Sequence, residues 1–301
     1  MNYEEFKEYV KDHILEYLPE SYSAAKVTMQ SVVKNNDQKL DGLTVRTQNS
    51  NICPNIYLNQ YFRDYEDGRD IDEIMHEIAS VRIRSGNAEF PMITDLTCLG
   101  KIKNKIHAKL VNRALNEEYL ADKPFTKVAD LAAIYYIELD KSEHCNASVV
   151  ITNNMLDIFG ITVSDLHNIA LDNMHHCKEA RFLTMSEILK ELMHDPVGEL
   201  DFAEPSLYVL TNSEKVNGAA LLLDAETMDR ISDKIGKSFL ILPSSVNELI
   251  FVPASITESQ DLSSLVEMVV QINGSEVQPE EVLSDHVYRY NYANHSLEIA
   301  A

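Results

Sequence analysis

Apolar residues recur at helical spacing from the start of the chain. Tyr3, Phe6, Val10, Ile14 and Tyr17 share one face with Glu and Lys between them, and Pro19 marks a stop. The period then changes: Val27, Met29, Ser31 and Val33 alternate, Asn35-Asn36-Asp37 supplies a turn, and Leu43, Val45 and Thr47 continue, which predicts a β-hairpin. A short Ile56-Tyr57-Leu58 segment precedes a second helix with Ile71, Ile74, Met75, Ile78 and Val81 in one stripe, opened by Asp70 and Glu73 and ended by Gly86.

Ile102, Ile106, Ala108 and Leu110 predict extended chain to about Ala114, and Val128 to Leu139 pairs with Ala147 to Thr152 as a second hairpin. Ser164 precedes a helix bearing Leu166, Ile169, Ala170, Asn173 and Met174, and Met185 to Met193 reads as another. In the last third, Leu207 to Leu210 and Ala219 to Leu223 read as strands, followed by a helix from about Asp224 to Gly236. Strands at Phe239 to Leu242 and Leu249 to Val252 flank a polar loop, and a final helix carries Leu262, Leu265, Val266, Val269 and Ile272. Hairpins outnumber strand–helix–strand units, so the expected class is α+β, a largely antiparallel sheet with packed helices. A division into two lobes is one arrangement of it, with residues 1–87 as a helix–hairpin–helix lobe and 88–301 as the main α+β domain.

Composition narrows the function classes. At 301 residues, 45% hydrophobic and 25% charged, the chain can bury a sizeable core, and no apolar run approaches the roughly 18 residues that span a bilayer. Lys plus Arg number 26 against 48 Asp plus Glu, a net charge of -22, which argues against general nucleic-acid binding and against an anionic membrane surface. The acidic start Met1-Asn2-Tyr3-Glu4-Glu5 is unlike a secretory signal, so the expected location is cytoplasmic. Cys53, Cys98, Cys145 and Cys177 form no C-x-x-C pair and are expected to be buried free thiols.

Several familiar chemistries lack their signatures. Gly236-Lys237-Ser238 imitates the end of a phosphate-binding loop, but position 231 is Ile and a helix precedes the glycine, so a helix cap is the better reading. His76-Glu77 lacks the second His of a zincin, because position 80 is Ser. His167, His175, His176 and Cys177 gather on one helix and its end, where a metal site competes with simple interaction of His with terminal carbonyls. No metal or cofactor is assigned.

The polar loop is the leading candidate site. Ser244, Ser245, Asn247 and Glu248 lie between two apolar strands, a place where a scaffold displays polar groups at a rim. The alternative is that they satisfy their own turn while Glu248 faces water. Asn173, on an apolar helix face, must find partners, either by pinning its helix to a loop or by touching a ligand; Asn212 is the sixth candidate. Tyr57, Tyr61, Phe62 and Tyr65 form an aromatic cluster, read as packing against the Ile71 helix or as a stacking surface. Lys101, Lys103, Lys105, Lys109 and Arg113 are the one basic stretch; if Lys101 to Lys105 is extended its lysines share one side, as on an edge strand.

Three stretches carry a resemblance. Ile56-Tyr57-Leu58-Asn59-Gln60-Tyr61 with Tyr65 and Gly68, the face of Leu166, Ala170 and Asn173, and Ile241 to Glu248 resemble a clostridial (Firmicutes) family that bears only a domain-of-unknown-function label, the 5688 type. More distantly, the order from Val128 to Val252 is similar to a second, bacillar family. The resemblance implies a shared fold and no activity. In the clostridial family the loop often has His where this chain has Asn247, so no base role is given to that position.

The reading that follows is a cytoplasmic protein that works by binding another protein or a small ligand, with Ser244, Ser245, Asn247, Glu248, Asn173 and Asn212 as ligand contacts. One alternative is a hydrolase-like enzyme using Ser244 or Ser245 with Glu248 and an unidentified His. Another is an acidic inhibitor or immunity-type protein, since residues from Val197 onward hold 17 acids against 5 bases.

Overall fold

In a computed structural model, which describes residues 1–47, 55–84, 93–142, 145–177, 179–192, 207–253 and 262–301, the opening helix α1 (Tyr3–His13) begins at a capping box. The Asn2 side chain accepts from Glu5 N at 3.0 Å, and the Glu5 carboxylate accepts from Asn2 N at 2.9 Å. Its apolar face buries Phe6 and Val10. The alternating segment forms β1 (Lys26–Val33) and β2 (Lys39–Arg46), antiparallel in the register Val33 to Lys39, with Asn36 and Asp37 at positive φ in the turn. Those are residue types that tolerate the left-handed region. Then come β3 (Ile56–Tyr57), which pairs with β2, α2 (Leu58–Glu66) and α3 (Ile71–Arg84).

These elements belong to the first of two compact units, residues 1–34, 38–96 and 138–148; the second comprises 35–37, 97–137 and 149–301. In the first unit, Phe6, Val10, Ile14, Leu43, Val45, Leu58, Ile74, Met75 and Ile78 close one core. Phe62 and Tyr65 lay their rings against Phe6, and Phe62 also meets Tyr3, so α1 is their aromatic partner. Arg82 is fully buried, donating from Nε to Val45 O at 2.8 Å with its guanidinium over the Tyr22 ring.

A further sheet has the order β4 (Ile106–Asn112), β6 (Leu131–Ser142), β5 (Phe125–Val128), with β7 (Cys145–Val150) pairing β6; β4, β5 and β6 as far as Ile137 belong to the second unit. Between two partners, β6 buries Leu131 to Ile137 without a break, which explains its continuous apolar run. Two helices follow, α4 (Asn153–Phe159) and α5 (Val163–Cys177), the latter across β4.

A larger sheet is built from β8 (Ala180–Thr184), β9 (Tyr208–Asn212), β10 (Phe239–Pro243), β11 (Leu249–Pro253), β12 (Tyr288–Asn291) and β13 (Ser296–Ile299). Their order is β13-β12-β10-β11-β9-β8, and every neighbouring pair is antiparallel. Also in this unit are α6 (Met185–Leu192), α7 (Ala225–Ile235) and α8 (Leu262–Ser275). The fold is α+β with antiparallel sheets. No helix among the described residues is long and apolar enough to cross a membrane.

Three local expectations are corrected. Ala219 to Leu223 is not a strand: Gly218–Leu223 coils as a 3-10 helix that buries Ala219 to Leu222, a case where a short apolar run has no diagnostic period. Lys101 to Lys105 is not extended either, because Leu99–Ile102 is helical and Lys103–Lys105 is a 3-10 turn; the strand starts at Ile106. Cys98 is a free thiol but exposed. Cys53 and the side chains of Cys145 and Cys177 lie outside the described residues, as do Gly86 and Met193.

Candidate functional site

The chain between β9 and α7 is shaped by polar side chains and one glycine. Asn212 is buried, and its Oδ1 accepts from Glu214 N at 3.0 Å and Val216 N at 3.3 Å while its Nδ2 donates to Val216 O at 2.7 Å. That closes a tight turn in which Lys215 and Asn217 take positive φ. At Gly218 a Cβ would stand 2.4 Å from Asn247 O and 2.7 Å from Thr211 Oγ1, so any side chain there would force the backbone to shift. The 3-10 helix then runs to Asp224, the N-cap of α7.

The polar loop from Ser244 to Glu248 is what the glycine approaches. Ser244 donates to Glu248 Oε1 at 3.2 Å, and buried Ser245 accepts from Asn247 N at 3.0 Å. Asn247 Oδ1 accepts from Asn217 N at 3.0 Å, its Nδ2 donates to Glu281 Oε1 at 3.1 Å, and its carbonyl accepts from Thr211 Oγ1 at 2.9 Å. Val246 O accepts from Ala219 N at 3.2 Å. The loop is half-buried and its polar groups brace the 217–219 segment. Neither Ser244 nor Ser245 hydrogen-bonds a histidine among the described residues.

Asn173 braces a second wall. Its Nδ2 donates to Lys103 O at 2.7 Å and Ile106 O at 2.8 Å, fixing the end of α5 that bears Met174 and His175. Between these two walls lies a cleft of about 410 Å³ lined by Met174, His175, Glu179, Ala180, Leu221, Asp224, Glu226, Thr227 and Arg230. The sequence groups His175 with His167, His176 and Cys177; the side chains of the last two lie outside the described residues, and the charged partners found for His175 are carboxylates more than forty residues downstream, beyond the reach of local spacing.

Asp224 is buried and saturated. It caps α7 by accepting from Glu226 N and Thr227 N, each at 3.2 Å, and it takes the Thr227 hydroxyl at 2.5 Å. His175 Nε2 stands 3.4 Å from Asp224 Oδ1, and its Nδ1 3.7 Å from Glu226 Oε2. Arg230 donates to Thr227 Oγ1 at 3.0 Å. Thr227, itself buried, therefore both donates and accepts within the wall. The arrangement offers fixed charges of both signs to a solute. A smaller apolar cavity of about 20 Å³ adjoins, sharing Met174 and Leu221 with the cleft.

A second cluster has the composition of a catalytic triad with different wiring. Asp130 Oδ2 accepts from Ser284 Oγ at 3.1 Å and lies 2.9 Å from His286 Nδ1, while Oδ1 accepts from Tyr288 OH at 2.9 Å. A triad needs the serine on Nε2, opposite the carboxylate; here serine and carboxylate share the Nδ1 side, and Ser284 is buried. The cluster clamps the segment before β12 to the β5–β6 turn, where Ala129 has positive φ. Burial pushes the Tyr288 hydroxyl upward. Deeper in the unit, Tyr135 OH bridges Thr126 Oγ1 at 2.6 Å and His167 Nδ1 at 3.0 Å; burial pushes Tyr135 up to about 12 and pulls His167 below its ordinary value. Among the described residues no three His, Cys, Asp or Glu side chains could hold a metal ion; the side chains of His176 and Cys177 are outside that set.

Comparison with known proteins adds the family. The model of a family of unknown function (DUF5688) matches residues 3–292. No curated protein and no solved structure matches the chain.

Proposed function

The chain belongs to DUF5688, a family of unknown function, and on that premise we propose from its own residues that it works by binding a small polar molecule in the cleft between α5 and the start of α7. The observation that carries this reading is the cleft itself: about 410 Å³, within the size range of small-molecule sites, with Glu179, Glu226 and Arg230 at its surface. The six polar residues marked in the sequence enter as support. Asn173 holds one wall, Asn212 and Asn247 shape the other, and Ser244, Ser245 and Glu248 keep the bracing loop in form. Binding is favoured over hydrolysis because Thr227 is buried within the α7 cap and neither Ser244 nor Ser245 has a histidine partner among the described residues. The net charge of -22 supports leaving nucleic acid out of the ligand class.

The test is a thermal-shift and amide-NMR screen of the full chain against a panel of small polar metabolites, repeated with Arg230→Glu and Glu179→Lys. Binders are expected to move the resonances of Met174, His175, Glu179 and residues 221–230, and both variants to weaken them by tenfold or more. Binding that both variants leave unchanged, or a panel that perturbs no cleft resonance, would remove the reading.

A further inference from the structure

We infer that the occupant of the cleft is a small zwitterion with a short aliphatic side chain, the chemistry of an aliphatic α-amino acid; this rests on the reading of the cleft as a ligand site. Two features on the same walls lead there. The cleft carries both signs of charge, with the Glu179 and Glu226 carboxylates and the Arg230 guanidinium on its lining, while the Asp224 carboxylate there is taken up by the α7 cap and faces His175. A simple cation would leave the guanidinium unanswered and a simple anion would face the carboxylates, whereas an ammonium and a carboxylate on one carbon answer both. A guanidinium has five N–H donors, and Arg230 spends one on Thr227 Oγ1.

The second feature is the adjoining cavity. Its volume of about 20 Å³ is that of a methyl group or one water, and Ala108, Val216 and Ala220 stand on its walls. Met174 and Leu221 border both spaces and stand between them. Met174 is unbranched and can change rotamer, which is how a group in the charged cleft would reach the cavity. Four polar residues, His107, Tyr136, Asn212 and Asn217, also line it, and Asn212 already spends both ends of its amide on the 212–216 turn. Ala108, Met174, Val216, Ala220 and Leu221 make up the larger part of the lining, so the space suits carbon better than a charged group.

The experiment titrates the full chain with glycine, L-alanine, L-2-aminobutyrate and L-norvaline, with propylamine and propionate as single-charge controls, by calorimetry and amide NMR. Affinity is expected to rise about fourfold for each methylene until the cavity is filled, and both controls to bind at least tenfold more weakly than the matching amino acid. Ala220→Leu fills the cavity and should erase the gain with chain length while leaving glycine unchanged. If that variant does not fold, Met174→Ala serves instead and should move the preference toward norvaline. Equal binding of glycine and norvaline, or of propylamine and alanine, overturns the zwitterion while leaving the cleft as a site. So does silence from all four amino acids when another polar compound moves the cleft resonances. If no compound of any kind moves them, the cleft reading fails and takes this inference with it.

Discussion

The side-chain oxygen of Asn247 accepts the backbone N–H of Asn217 at 3.0 Å, so the loop joining β10 to β11 holds the chain that leads into the cleft. Residues thirty positions apart thereby act as one joint, and a defect in the joint should be felt at Asp224, seven residues further on.

Gly218 is the least replaceable part of that joint. A methyl group there would meet Asn247 O at 2.4 Å and the Thr211 backbone at 2.9 Å, and backbone atoms cannot swing aside as a flexible side chain can. Gly218→Ala should cost about 3 kcal/mol, the upper end for overpacking. Urea denaturation checks it, with a lowered midpoint and an unchanged slope. A loss below about 0.5 kcal/mol would show that the 217–219 segment moves freely away from the loop.

Asp224 joins stability to the site. As N-cap it answers two backbone N–H groups of α7 and the Thr227 hydroxyl, and its removal should cost about 1–2 kcal/mol. Asp224→Asn keeps an acceptor for the cap and should recover most of that stability, yet it takes away the charge facing His175. Thermal unfolding of the two variants separates capping from charge; equal losses would mean that charge dominates.

The Asp130 clamp predicts strong non-additivity. Asp130→Ala leaves the hydroxyls of Tyr288 and Ser284 buried without their acceptor, at about 1–3 kcal/mol for each group. Tyr288→Phe removes one of the stranded donors, so the double variant Asp130→Ala with Tyr288→Phe should be less damaged than the sum of the two single changes. Chemical denaturation of the four proteins gives the coupling, and strict additivity would deny that the carboxylate is what holds the ring.

Much of the architecture was legible because its signals are local. The capping box at Asn2 and Glu5 lies beside the Phe6 and Val10 stripe, the Asn-Asn-Asp turn beside alternating strands, and Gly236 at the end of the helix that Asp224 opens. Period fails where burial is complete on all sides, which is why Gly218–Leu223 reads as a strand while coiling tightly. In the C-terminal pair, Tyr288 and Tyr290 alternate with Arg289 and Asn291, but β12 and β13 are four residues each, too short for the alternation to stand out. The pinning role open to Asn173 is visible in an amide on an apolar helix face, but its partners Lys103 and Ile106 are about seventy residues away. The same holds for Asp130 with Ser284 and His286, and for His175 with Asp224: each cluster joins segments that only the tertiary fold brings together.

The chain of hydroxyls behind α5 predicts how stability depends on pH. Burial lowers the pKa of His167 in the folded state, so between that value and the unfolded value near 6.5 the unfolded chain binds more protons. The contribution of a neutral His167 is therefore complete above about pH 6.5 and is lost as pH falls through the folded pKa. Its partner Tyr135 behaves in the opposite direction: its folded pKa, pushed up to about 12, exceeds the unfolded value near 10, so that contribution is complete below about pH 10 and is lost as pH rises toward 12. His167→Gln should flatten the acid limb of the stability profile without touching the alkaline one, and Tyr135→Phe should flatten only the alkaline limb. Denaturant titrations from pH 4 to 11.5 compare each variant with the parent protein. An acid limb of unchanged slope in His167→Gln would mean that the imidazole titrates in the folded chain as freely as in the unfolded one.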